Sequence, residues 1–419
     1  MSDDQPKAPQ GSFSRRRLLV GSTVAAAGVA AAVAASATAP AAGATSDNRT
    51  IPFLGPHQAG IATPAQDRLV FAAFDVTSSS AQDLEALLST WSRAAERMTR
   101  GDPVAPPLSP YEPPSDTGEA VGIGPAGLTL TVGFGSSLFD GRFGLTARRP
   151  SALEALPSFP GDDLDQARSG GDLCVQACAD DAQVAFHAVH NLARLATGIA
   201  ALRWVQTGFG RTSSTTSGQA TPRNLLGFKD GTNNPLADDP GVFDRVVWVG
   251  DETDQAWMRG GSYLVARRIR TRLETWAATP LVAQQQVIGR FKSSGAPLTG
   301  THEHDRVDLA ARGALGAHVI PDGAHVRQAA PSTNAGVRIL RRGYSFADGL
   351  DPRSGELDAG LFFICFQRDP RAQFVAIQSN LAINDSLREY LVHTSSAVFA
   401  CPPGVDESGV WGGTLFRDA

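Results

Sequence analysis

Arg68 to Val76 reads Arg-Leu-Val-Phe-Ala-Ala-Phe-Asp-Val, a nearly unbroken apolar run of strand length. The next stretch, Ala81 to Met98, carries Leu84, Leu87, Leu88 and Trp91 at helical spacing. The same two signatures recur along the chain. Further strands are expected at Leu128 to Val132, Asp172 to Cys178, Ser262 to Ile269, Ile339 to Tyr344 and Leu361 to Phe366. Helices are expected at Asp181 to Leu195, Leu281 to Phe291 and Arg371 to Leu381. Residues 45 to 66 and 101 to 126 are rich in Pro, Gly and Asp, and Gly210 to Gln219 in Ser and Thr, so these read as loops.

The pattern repeats itself. Sliding the chain by 188 positions places Leu173 on Leu361, Cys178 on Phe366, Phe186 on Phe374 and Val189 on Ile377. It also places Asp181 on Asp369, each expected to cap the start of a helix. A duplicated α+β unit is the simplest account, with one copy over 45–220 and the other over 221–419.

The first 44 residues stand outside this pattern. Ser14-Arg15-Arg16-Arg17-Leu18-Leu19 precedes a weakly hydrophobic Ala/Gly/Val stretch that ends in Ala42-Gly43-Ala44, the signature of a twin-arginine signal peptide cut after Ala44. So many Ala and Gly residues supply too little transfer free energy for a firm membrane anchor. That export route moves proteins already folded, so a cofactor inserted before export is expected. A periplasmic, cell-surface or secreted location follows, with the twin-arginine machinery as a partner. Removing the segment's four basic and two acidic residues takes the net charge from −5 to −7. With basic residues dispersed along an acidic chain, nucleic acid is excluded as a partner. Cys174, Cys178, Cys365 and Cys401 form no C-x-x-C pair and have no His at zinc spacing.

Two stretches are unusual for scaffold. Gly227-Phe228-Lys229-Asp230-Gly231-Thr232-Asn233-Asn234-Pro235 crowds glycines, a carboxylate and two amides between apolar flanks, a composition that lets backbone approach a flat or charged ligand. An Asp-Gly turn alone would explain part of it. In the second, Ala324-His325-Val326-Arg327 is followed by Ile339-Leu340-Arg341-Arg342-Gly343-Tyr344-Ser345-Phe346. Arg341 and Arg342 must face opposite sides of a strand, one toward a polar cavity and the other free to meet solvent. A rival cluster, His302-Glu303-His304-Asp305, lacks the helical spacing of a metal site.

Gly227 to Thr232 resembles the GxxDG signature of the DyP-type (dye-decolorising) haem peroxidases, and Ile339 to Ser345 resembles that family's arginine strand. Gly55-Pro56-His57-Gln58-Ala59-Gly60-Ile61 and Phe399-Ala400-Cys401-Pro402-Pro403-Gly404 resemble the opening and closing segments of its exported deferrochelatase/peroxidase branch. The resemblance implies tandem ferredoxin-like α+β units with antiparallel sheets, of the dimeric α+β barrel type, and one haem b per chain in the C-terminal unit. It implies His325 as proximal iron ligand, Asp230 as distal acid/base and Arg341 as distal arginine. Gly231, Thr232 and Asn233 would lie against the porphyrin edge. Where the family often reads Asn-Pro-Arg near a haem propionate, this chain has Ala330-Pro331-Ser332. Hydrogen peroxide and a small electron donor would be the substrates. A homo-oligomer is compatible with the resemblance, and so is partnership with iron-uptake proteins if the chain releases iron from haem instead.

The residue types suit peroxide chemistry. An imidazole supports iron from one face, a carboxylate on the other moves a proton between peroxide oxygens, and a guanidinium meets the charge that develops. A carboxylate ordinarily titrates near ~3.9, so a base of this type implies an acidic optimum. Electrons from donors too large to enter a haem pocket would leave through surface Trp or Tyr residues; Trp257, Trp276, Tyr344 and Tyr390 are the candidates, although each reads first as a packing residue.

Overall fold

The computed structural model describes residues 48–106, 109–406 and 409–416; the twin-arginine segment lies outside them. The first half runs β1 (Arg68–Val76), α1 (Ala81–Thr99), β2 (Thr129–Gly135), β3 (Leu173–Ala179), α2 (Ala182–Leu195) and β4 (Ala200–Arg211). The second runs α3 (Pro240–Val246), β5 (Ser262–Thr271), α4 (Leu273–Ala278), α5 (Leu281–Ile288), α6 (His325–Gln328), β6 (Leu340–Arg341), β7 (Tyr344–Leu350), β8 (Leu357–Gln367), α7 (Phe374–Asn384) and β9 (Leu391–Cys401). Each half is thus an α+β unit of strand, helix, paired strands, helix and strand.

The strands join in the order β5-β9-β2-β3-β1-β4-β7-β8, and β8 returns to pair with β5, closing a ring of eight strands with β6 added on the edge of β8. Every ladder is antiparallel. Closure explains the apolar run in β1, because both faces of the strand are covered. Val70, Ala72 and Phe74 pack toward α1 beside Leu84, Leu88 and Trp91. Leu69, Phe71 and Ala73 alternate to the other side, among Trp204, Phe362 and Phe399.

Helix starts follow local chemistry. Ser80 caps α1 by accepting from the Asp83 N–H at 3.2 Å, and Asp181 caps α2 by accepting from Gln183 and Val184 N–H groups at 2.7 and 3.1 Å. Asp369 behaves differently from the cap expected. It binds the Arg371 N–H at 2.8 Å in a turn, and α7 begins only at Phe374.

The arginine strand also departs from expectation. It breaks at Arg342 and Gly343 into β6 and β7. Arg342 does face away from Arg341, but not toward solvent: it is fully buried, its guanidinium held by the Thr63 carbonyl and the Gln66 side chain. All four cysteines are buried and free.

Candidate active site

A cavity of about 610 Å³ opens among β5, β8, β9, α6, α7 and the Gly227–Asn233 loop. Leu226, Phe228, Ile288, Leu361, Phe363 and Leu381 give it apolar walls, interrupted by many polar and charged side chains, Arg267, Arg290, Arg338 and Arg388 among them. That combination suits a large ligand with both an apolar body and anionic groups. Asp230, Gly231, Thr232, Asn233, His325, Ala330, Pro331, Ser332 and Arg341 all line it.

The Gly227–Asn233 loop is shaped by backbone necessity. Gly231 has φ +89°, and a Cβ there would lie 2.7 Å from the Ser213 Cα, so only glycine fits. The next-door carboxylate is fully engaged: Arg341 Nη1 donates to Asp230 Oδ1 at 2.6 Å, and Asn224 Nδ2 donates to Oδ2 at 3.0 Å. The fork and the acid expected from sequence to act together do meet.

His325 opens the short helix α6, and its Nδ1 donates to Asp385 Oδ2 at 2.6 Å. A carboxylate can only accept here, so the proton sits on Nδ1 and the Nε2 lone pair is left for a metal. Asp385 is buried beyond the end of α7 and also accepts from the Leu387 N–H at 2.9 Å. Sequence reasoning left this partner unassigned, since 60 residues separate the pair and no local signal links them.

Burial resists a charged His325, yet the Asp385 carboxylate, helped by Asp230, outweighs it and lifts the imidazole above its ordinary value. In the haem-free protein this pair therefore contributes most below the ordinary imidazole pKa and loses its contribution as pH rises through the raised one. Ligation runs the other way, because a proton on Nε2 competes with iron. Haem retention should start to weaken, as pH falls, at a pH above the ~6.5 of free imidazole. Asp385→Asn keeps the cap and an acceptor but removes the charge. Haem transfer to an acceptor protein across that pH range should show affinity lower by roughly 10–100-fold and the onset moved to lower pH; an unchanged profile would refute the role given to Asp385.

A second imidazole, His393, lies on the same cavity wall. Burial and the neighbouring Arg267 push it down to about 3, so it is neutral. Among the described residues no hydrogen-bonded carboxylate orients it as Asp385 orients His325; Asp162 lies 4.0 Å away and is bound to Arg267.

Glu303 is a wall residue that sequence reasoning missed, absorbed as it was in the His302–Asp305 cluster. It pairs with Lys229 and accepts from Thr232 Oγ1 at 3.2 Å, bracketing Asp230 on both sides. Burial alone would raise its carboxyl, but Lys229 and the hydroxyls hold it below the usual range. His302 and His304 are largely exposed, Asp305 binds its own loop's N–H groups, and no metal-binding group forms among the described residues.

Of the aromatic exits expected, Trp257 and Tyr344 are buried away from the cavity wall. Trp276 is buried but packs against Phe228 at 6.0 Å and against the half-buried Tyr390 at 4.9 Å between ring centroids.

Two family models match, Dyp-type peroxidase N-terminal over residues 58–210 and C-terminal over residues 221–406. Among curated relatives, a deferrochelatase of Escherichia coli strain K12 is 39% identical over 414 residues, 96% of this chain and 97% of that protein. Among solved structures, ferric DtpA from Streptomyces lividans is 42% identical with TM-score 0.80, covering 88% of this chain and 97% of that one. A DyP-type peroxidase from Cellulomonas bogoriensis is 39% identical with TM-score 0.79, covering 88% and 99%.

Proposed function

The chain belongs to the Dyp-type peroxidase family, a haem-dependent enzyme family, and from that premise we propose that it binds haem b through His325 and reduces hydrogen peroxide with Asp230 and Arg341 while oxidising small electron donors. The observation that carries this reading is the 2.6 Å pairing of Asp230 with Arg341 on the wall of a cavity that also holds a carboxylate-oriented imidazole. The b form is supported by the cysteines, all buried and none in a C-x-x-C-H attachment motif.

Haem, when bound, supplies the redox-active iron. Asp385 holds the His325 proton on Nδ1 and turns Nε2 to the ligand. Asp230 takes a proton from the incoming peroxide oxygen and returns it to the leaving one. Arg341, permanently charged, meets the negative charge on the departing oxygen. A donor too large for the cavity has an aromatic route through Tyr390 and Trp276 to the wall at Phe228. Tyr390→Phe should slow bleaching of bulky dyes several-fold and leave peroxide consumption with small phenols unchanged; equal losses for both donors would exclude that route.

A second reading, iron release from haem, is favoured by the enterobacterial relatives named deferrochelatase, which match nearly the whole chain. Incubating haem-loaded protein with peroxide and a dye, and separately under reducing conditions without peroxide, distinguishes the two. Dye bleaching without free protoporphyrin supports the peroxidase; protoporphyrin release without bleaching supports the alternative, with iron-uptake proteins as partners. The twin-arginine motif at Arg15 and Arg16 supports export to the periplasm, cell surface or medium.

A further inference from the structure

We infer that Asn234 is a positioning residue that holds Arg341 in register with Asp230; the inference rests on the peroxide-facing roles given above. Arg341 lies at a sheet edge. β4 pairs with β7 as far as Arg211 opposite Tyr344, and one more bond, from the Thr212 N–H to the Gly343 carbonyl at 2.9 Å, ends that ladder. β6 runs on beyond it, paired with β8 on one side, where the Arg342 N–H binds the Ile364 carbonyl at 2.8 Å. In an antiparallel ladder successive residues turn their polar groups to opposite sides, so the Arg341 N–H and C=O face away from β8, where no strand lies among the described residues.

The Asn234 side chain takes the place of that missing strand. Its Oδ1 accepts from the Arg341 N–H at 2.8 Å, and its Nδ2 donates to the Arg341 and Ser214 carbonyls, both at 2.9 Å. Ser213 Oγ donates to the same Arg341 carbonyl at 2.8 Å. Asn234 is 5% exposed, and its own N–H closes a turn onto the Gly231 carbonyl at 2.9 Å. One amide thereby ties the strand that carries Arg341 to the loop that carries Asp230. Aspartate in its place would aim negative charge at two carbonyls, and an apolar residue would strand two buried backbone groups. Because reacting groups misplaced by about 1 Å can lose on the order of 10²-fold in rate, this tie bears on chemistry as well as folding.

The test compares wild type, Asn234→Ala, Ser213→Ala and Arg341→Leu, each loaded with haem, by haem content, fluoride affinity of the ferric protein and rate of reaction with peroxide. Fluoride reports the guanidinium without turnover, since it is stabilised by a hydrogen bond from a donor held in place. Asn234→Ala should keep its haem, bind fluoride about tenfold more weakly and react with peroxide up to roughly 10²-fold more slowly. Ser213→Ala should move both readouts in the same direction by less. Wild-type fluoride affinity and peroxide rate in Asn234→Ala would overturn the inference, even if its melting temperature fell. Should Asn234→Ala fail to fold, Ser213→Ala decides, and wild-type values there overturn it. Unchanged behaviour in Arg341→Leu would instead remove the reading on which the inference rests.

Discussion

Replacing His325 with alanine is expected to strip the protein of haem and of peroxide turnover together. The loss of affinity should exceed the roughly 10–100-fold that removing an outer partner of a ligating histidine brings. The control is His393→Ala. That imidazole shares the cavity wall and is neutral, but among the described residues it has no hydrogen-bonded carboxylate behind it. Haem content per chain, read from absorbance, should be near zero in the first variant and near wild type in the second. The reverse pattern would assign the iron to the wrong histidine.

The second large effect is at the pair facing the peroxide. Arg341→Leu should slow the reaction of haem-loaded protein with peroxide by roughly 10²–10³-fold, and Asp230→Asn by roughly 10²–10⁴-fold, with haem content retained in both. The double variant should fall well short of the product of the two losses. The groups touch at 2.6 Å, and each single change already dismantles the shared arrangement. Stopped-flow rates for the three variants check this; multiplicative losses would mean that the two residues act independently.

How far the sequence announced these sites depended on whether a signal was local. β1 and β3 were legible because closure of the ring buries both faces of each strand and leaves largely apolar runs, and β5 because it opens on Tyr263 to Ala266, although three buried arginines follow. β4 and β9 were not anticipated, since exposed or half-buried positions alternate along both and Thr, Ser and Gly dilute the apolar signal. The Gly227–Asn233 loop stood out by composition, and Gly231 carries the positive φ that such a cluster suggests. By contrast, Asp385 and Glu303 act through partners 60 and 74 positions away along the chain, so tertiary structure alone brings them to the site, and Asn234, though in the loop that composition marked, acts on Arg341, 107 positions away. Arg342 shows the limit of alternation as a guide: it fixed which way the side chain points but not that a carbonyl and an amide would receive it there. Tyr344 and Trp257, candidate exits that read first as packing residues, are core residues, and aromatic identity alone carries no information about depth.

Whether this cavity holds a peroxide-reactive haem on a single imidazole is decided by the absorption spectrum of the purified full chain before and after one equivalent of hydrogen peroxide. An intense haem band, at one haem per chain, should shift within the mixing time and return when an electron donor is added. A protein that takes up no haem, or whose haem band is unmoved by peroxide, would contradict it.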